Sequence, residues 1–148
     1  MPIIEFSSVI TNDASSPLQM QCSSRQFTLI VDEPVAYGGE DSGVNPIEAL
    51  LSSIGACKGI VAKSFARLHR IKLKNIRIEM KGEIDPDGYM GKNKSAKIGL
   101  SRLSTHYFIQ ADNTKEEIQA FIDFIEHTCP LSDTIKNAPI FHTFVEIE

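Results

Sequence analysis

Three cysteines, Cys22, Cys57 and Cys129, are the side chains of this chain best suited to redox or nucleophilic chemistry. An odd number speaks against a disulfide framework of the kind that holds small secreted domains together. There is no CxxC pair and no HExxH. The four histidines, His69, His106, His127 and His142, are scattered, and only His127 lies beside a cysteine, in His127-Thr128-Cys129. Two ligands do not make a zinc site. A pair of cysteines far apart in sequence suits a different chemistry: one thiolate attacks an oxidant, and the second closes a disulfide with it.

Cys57 and Cys129 depend on the elements around them. A helix opens at Asn45-Pro46-Ile47-Glu48, with Asn45 at the N-cap, Pro46 at the first helical position and Glu48 at N3. It is predicted to run to about residue 69. Ile47, Leu50, Leu51, Ile54, Val61, Phe65 and Leu68 form one apolar stripe that includes Cys57. The opposite face carries Ser52, Ser53, Gly55, Ala56, Gly59 and Ala62, and no charge lies between Glu48 and Lys58. Such a helix is expected to be buried on both faces, with Gly55 and Gly59 permitting close approach of another backbone. A chain of 148 residues has little material for that, so a partner subunit is expected to cover part of it.

Cys57 has two readings. Free cysteine is among the most buried residue types, so it can simply fill the core. As a reactive thiol in mid-helix it gains nothing from the helix dipole and needs a cation brought by tertiary contact. Cys129 ends a second helix, opened by the capping box Thr114-Lys115-Glu116-Glu117 and stopped by Pro130. A helix C-terminus disfavours a thiolate. That contrast suits a nucleophile at Cys57 and a resolving thiol at Cys129.

The rest of the chain supplies strands. Residues 3–10, 18–22 and 26–31 read as short strands, the last ended by Asp32-Glu33-Pro34 and followed by a glycine-rich loop from Tyr37 to Gly43. Residues 71–84 and about 95–110 read as two further strands around the turn Asp85-Pro86-Asp87-Gly88, with 76–80 and 107–109 most buried. A short helix over 132–137, capped by Ser132, and a closing strand from Phe141 to Ile147 complete an α+β order in one domain, 1–148.

Composition narrows the function. The apolar fraction is 42%, the charged fraction 23% and the net charge −4, with both signs mixed along the chain. No basic stripe supports nucleic-acid binding. No apolar run reaches the roughly 18–20 residues that span a bilayer. The N-terminal residues lack the basic and apolar regions of a signal peptide, which predicts a cytoplasmic protein.

Two motifs carry a family resemblance. Gly38-Gly39-Glu40-Asp41-Ser42-Gly43-Val44-Asn45-Pro46-Ile47-Glu48-Ala49-Leu50-Leu51, continuing to Ser52-Ser53-Ile54-Gly55-Ala56-Cys57, resembles the first cysteine motif of OsmC/Ohr proteins. His127-Thr128-Cys129-Pro130-Leu131-Ser132 resembles the second. The resemblance implies an OsmC-like fold, with β-sheets around long central helices in an intertwined homodimer. It also implies reduction of organic hydroperoxides, or of hydrogen peroxide, by a peroxidatic Cys57 and a resolving Cys129. No bound cofactor is implied; a dithiol such as a lipoylated protein would re-reduce the pair. In the best-studied branches a glutamate directly follows the helix-opening proline and pairs with an arginine beside the peroxidatic thiol. Here that position is Ile47, and the acid, Glu48, is about 100° further around the helix. The pattern is closer to a less-characterised OsmC-like branch. Arg25 is the candidate for the arginine, Glu48 is either its partner or a capping residue, and Cys22 matches no thiol of the family. A second function stays open: a dimeric protein that binds a small apolar ligand or senses oxidation on the same scaffold.

Overall fold

The computed structural model describes residues 2–147. They fall into two compact units, one running to Leu51 and the other from Ser52 onward.

The first unit holds an antiparallel meander of β1 (Val9–Asn12), β2 (Met20–Ser24) and β3 (Phe27–Val31), in that order. The first strand is shorter than the expected 3–10. β2 stops at Ser24, opposite Phe27, so β1 has no ladder partner before Val9, which faces Ser23. Ile3, Ile4 and Phe6 are exposed. Cys22 lies in the middle strand, between Ile10 and Leu29.

Asp32 follows β3 and organises the glycine-rich loop. Its carboxylate accepts from the backbone N–H groups of Glu33 (2.8 Å), Glu40 (3.0 Å) and Ser42 (3.1 Å), and from the Ser42 hydroxyl (2.8 Å). Burial opposes its ionisation, but these hydrogen bonds win and hold it below the ordinary carboxylate range. A Cβ at Gly39 would sit 1.9 Å from the Glu33 carbonyl oxygen, and one at Gly43 2.3 Å from that of Ile30. The loop can be wrapped this tightly only with glycine at both places.

Helix α1 (Pro46–Phe65) starts where the sequence predicts. The Asn45 N–H donates to Glu48 Oε2 (2.9 Å), and the Glu48 N–H donates to Asn45 Oδ1 (2.8 Å). The helix ends at Phe65 rather than near 69. Arg70 takes a left-handed conformation (φ 56°), and the Ile71 N–H returns to the Ala66 carbonyl (2.8 Å). That is a helix stop usually signalled by glycine.

In the second unit β4 (Leu73–Glu83) pairs antiparallel with β5 (Arg102–Ala111), so that Ile76 faces Ile109, Ile78 faces Tyr107 and Met80 faces Thr105. Residues 95–101 are loop, not strand, because β4 ends at Glu83, opposite Arg102. Between the strands lies the single turn α2 (Pro86–Tyr89), started by an Asp85 cap. Along β5, Leu103, Thr105, Tyr107, Ile109 and Ala111 turn inward with strict alternation. Helix α3 (Lys115–Thr128) opens with the expected Thr114–Glu117 capping box. Its Phe121 and Ile125 meet Val61, Ala62, Ala66 and Ile71 in the core. The deepest core residues are thus on α1 and α3, not in the stretches 76–80 and 107–109, because a two-stranded ribbon leaves alternate side chains in water.

On the small face of α1, Gly55 and Gly59 face Met80 and Ile78 of the same chain, whereas Ser52, Ser53, Ala56 and Ile60 are exposed, the part of the helix that a partner subunit is expected to cover. One further expectation needs correction. The stretch from Phe141 to Ile147 forms no strand. A strand needs a neighbour to bond to, and no ladder among the described residues includes this stretch. Phe141 and Phe144 are 84% and 89% exposed.

Candidate active site

Cys129 sits at the joint between α3 and α4 (Pro130–Lys136). Its N–H closes α3 on the Ile125 carbonyl (3.0 Å), and its sulfur caps α4 by accepting from the Ser132 N–H (3.5 Å). The short helix therefore begins with Pro130 at its first position and Cys129 as its cap, not with a Ser132 cap. Ser132 instead presents both its N–H and its hydroxyl to the sulfur.

Cys57, in mid-α1, is half-buried and lies within hydrogen-bonding reach of Cys129, which is 1% exposed. Both are free thiols. Desolvation raises both, and the balance then separates them. For Cys57 desolvation dominates; the Leu131 N–H works against it, and the bond to Cys129 and the charge there push further up, so the Cys57 thiol lies above its ordinary range. For Cys129 desolvation is outweighed by the Ser132 hydroxyl and N–H, by the Cys57 S–H and by the Leu131 N–H, so its thiol lies below. When the pair loses its first proton, the charge belongs to Cys129 and Cys57 donates to it. The first turn of α4 supplies the hydroxyl and N–H groups that lower the Cys129 thiol.

A charged network lies between the same elements. Lys58, the residue after Cys57, is 4% exposed. Its Nζ donates to Glu126 Oε1 (2.8 Å) on α3 and to Thr105 Oγ1 (2.6 Å) on β5. The Tyr107 hydroxyl also donates to Glu126 Oε1 (2.7 Å). Partial burial opposes ionisation of Glu126, but the hydrogen bonds and charge of Lys58, the Tyr107 bond and the charge of Lys136 hold it below its usual range. Tyr107 is driven strongly upward by desolvation, by Glu126 and by the charge at Cys129. These residues line a cavity of about 380 Å³ with Ile54, Met80, Leu103, Ile122, Ser132, Ile135 and Lys136.

Of the residues singled out in the sequence, the structure brings Cys57 and Cys129 together. Glu48 is engaged in the α1 cap. Arg25 occupies the β2–β3 turn with φ 55°, its guanidinium 5.0 Å from the centre of the Phe27 ring. Lys58, Thr105, Tyr107 and Glu126 were not legible as a group, since they come from three elements. The one available signal was the charge of Lys58 on an otherwise uncharged stretch of helix. Among the described residues no group of three or more His, Cys, Asp or Glu could hold a metal ion, and no helix is long and apolar enough to cross a membrane.

The family model for OsmC-like proteins matches residues 39–143. A protein of Mycoplasma genitalium named hydroperoxide reductase is 32% identical over 142 residues, covering 93% of this chain and 91% of its own length. Its namesake from Mycoplasma pneumoniae is 28% identical, covering 89% and 86%. The crystal structure of an OsmC-like protein from Mycoplasma pneumoniae superposes with a TM-score of 0.78 at 25% identity, covering 91% of this chain and 89% of that one. With both cysteine motifs in place and a match across most of its length, the chain belongs to the OsmC-like protein family.

Proposed function

We propose that this protein is a thiol peroxidase that reduces organic hydroperoxides, or hydrogen peroxide, with Cys57 as the attacking thiol and Cys129 as the resolving one. The observation that carries this reading is the proximity of two thiols distant in sequence, one half-buried and the other enclosed. The relatives named hydroperoxide reductase support it.

The polarity of the pair suggests how the proton moves. Cys129, as thiolate, takes the proton from Cys57 while the Cys57 sulfur attacks the terminal peroxide oxygen. The O–O bond breaks, and its electron pair leaves on an alkoxide, which takes the proton from Cys129. Cys57 is then a sulfenic acid, and Cys129 is again a thiolate. Its sulfur attacks the Cys57 sulfur, expels hydroxide, which is protonated to water, and forms the disulfide. An external dithiol, for which a lipoylated protein is suitable, returns two electrons by thiol exchange and becomes a disulfide itself. No bound cofactor takes part.

In this reading Glu48 holds the start of α1. Arg25 remains the candidate for the arginine that the resemblance places beside the peroxidatic thiol. The working unit in this reading is an intertwined homodimer in the cytoplasm; the exposed apolar residues of both terminal segments support association.

The raised Cys57 thiol favours a second reading, a small-molecule-binding or redox-sensing dimer whose cysteines do not turn over. One assay separates the two: consumption of an organic hydroperoxide with a dithiol donor by wild type and Cys57→Ser. Peroxidase chemistry requires turnover by wild type and none by the variant. Equal rates in both would remove the mechanism.

A further inference from the structure

Lys58 and Glu126 are placed symmetrically with respect to the two sulfurs. Lys58 follows Cys57 directly on α1, and Glu126 lies three residues before Cys129 at the end of α3. Their side chains meet at 2.8 Å, and β5 fixes both ends: Thr105 accepts from Lys58, and Tyr107 donates to Glu126. Thr105 is itself held, its hydroxyl donating to Met80 Sδ (3.3 Å). The ion pair therefore ties together the two helices that carry the thiols, using the strand between them as an anchor.

An enclosed ammonium is a poor way to stabilise a core. An apolar side chain of similar volume often serves as well or better. Cys57 and Cys129 are shifted chiefly by desolvation, by the N–H groups of Leu131 and Ser132, by the Ser132 hydroxyl and by each other. The ion pair bears on the sulfurs through the geometry of the two helices. A disulfide tolerates a narrow range of Cα and Cβ separations, and a displacement of about an ångström stores strain in the bond. Cys57 is placed by its helix and by the Leu131 N–H, and Cys129 by the joint between α3 and α4.

We propose that Lys58 and Glu126 are positioning residues whose ion pair, anchored by Thr105 and Tyr107, fixes the approach of Cys57 to Cys129 and so sets how readily their disulfide closes. The proposal rests on the two-thiol reading only in using the same pair of cysteines. It concerns disulfide formation and not the peroxide.

The test is the equilibrium of the Cys57–Cys129 disulfide in glutathione redox buffers, read by mass spectrometry after alkylation. Wild type, Lys58→Met, Lys58→Arg and the double variant Lys58→Met/Glu126→Leu are compared, each checked by circular dichroism. Lys58→Met should move the equilibrium toward the dithiol at least about tenfold, equal to about 30 mV for this two-electron couple. Lys58→Arg, which keeps the cation and its reach to Glu126, should recover most of it. The double variant leaves no unpaired charge and stays folded if Lys58→Met does not; it too should show the shift. Variants within twofold of wild type would overturn the proposal, as would a full shift in Lys58→Arg. A failure here leaves peroxide consumption by wild type unaffected. A peroxidase reading lost through Cys57→Ser would likewise leave this equilibrium measurable.

Discussion

Replacing Cys129 by serine keeps an oxygen cap on α4 but removes the more acidic thiol beside Cys57. Since the hydrogen bond and the charge of Cys129 both raise Cys57, its alkylation midpoint should move to lower pH in Cys129→Ser, measured by iodoacetamide labelling across pH. An unchanged or higher midpoint would mean that the two sulfurs do not share a proton. Under peroxide the same variant should leave Cys57 as a sulfenic or over-oxidised acid. Lys58→Met should lower stability by somewhat less than the roughly 3–5 kcal/mol lost when a fully enclosed pair is broken, because Glu126 keeps access to water. At this scale the sequence was informative about the cysteines, through motifs, and about Glu48 and Asn45, through capping chemistry. It could not reveal the order of thiol acidities. That depends on two N–H groups at the start of α4 and on a cap assigned in sequence to Ser132 rather than Cys129.

Among the elements, α3 carries the most. Phe121 is nearly inaccessible and meets Phe124 and His69, so Phe121→Ala should cost about 3–5 kcal/mol in chemical denaturation. Thr114→Ala should cost about 1 kcal/mol through the lost cap. Glu126 contributes to the pH dependence of this helix, as does Glu117 at its start. The Glu126 carboxyl is lower in the folded chain than in the unfolded one, so its contribution is complete above the ordinary glutamate range and disappears as pH falls through the folded value. Glu126→Gln should flatten that acid limb of the stability curve. Helix starts were legible because caps are local: Asn45 and Thr114 both open helices where expected. Ends were less legible. The stop of α1 depends on Arg70 in a conformation that its residue type does not advertise. Strand limits depended on partners: β1 and β5 begin only where β2 and β4 reach.

For the whole molecule, the exposed apolar side chains carry the information. Ile3, Ile4 and Phe6 at one end and Ile140, Phe141, Phe144, Val145 and Ile147 at the other are largely in solvent, as are Ile60 on α1 and Leu68 just after it. Surfaces of this kind mark association sites. Sedimentation equilibrium should give a dimer, and Phe141→Asp/Phe144→Asp should shift it toward monomer; a monomeric wild type would contradict the dimer reading. The stretch from Phe141 to Ile147 shows where a single sequence misleads. Its composition is that of a strand, but a strand is a relation between two segments, and none of the described strands pairs with it.

The central claim is that Cys57 and Cys129 react with each other. Wild-type protein treated with one equivalent of an organic hydroperoxide, digested without reduction and analysed by mass spectrometry, tests it most directly. The account predicts a peptide pair joined through Cys57 and Cys129, with Cys22 still a thiol. An over-oxidised Cys57 alongside a free Cys129 thiol would contradict it.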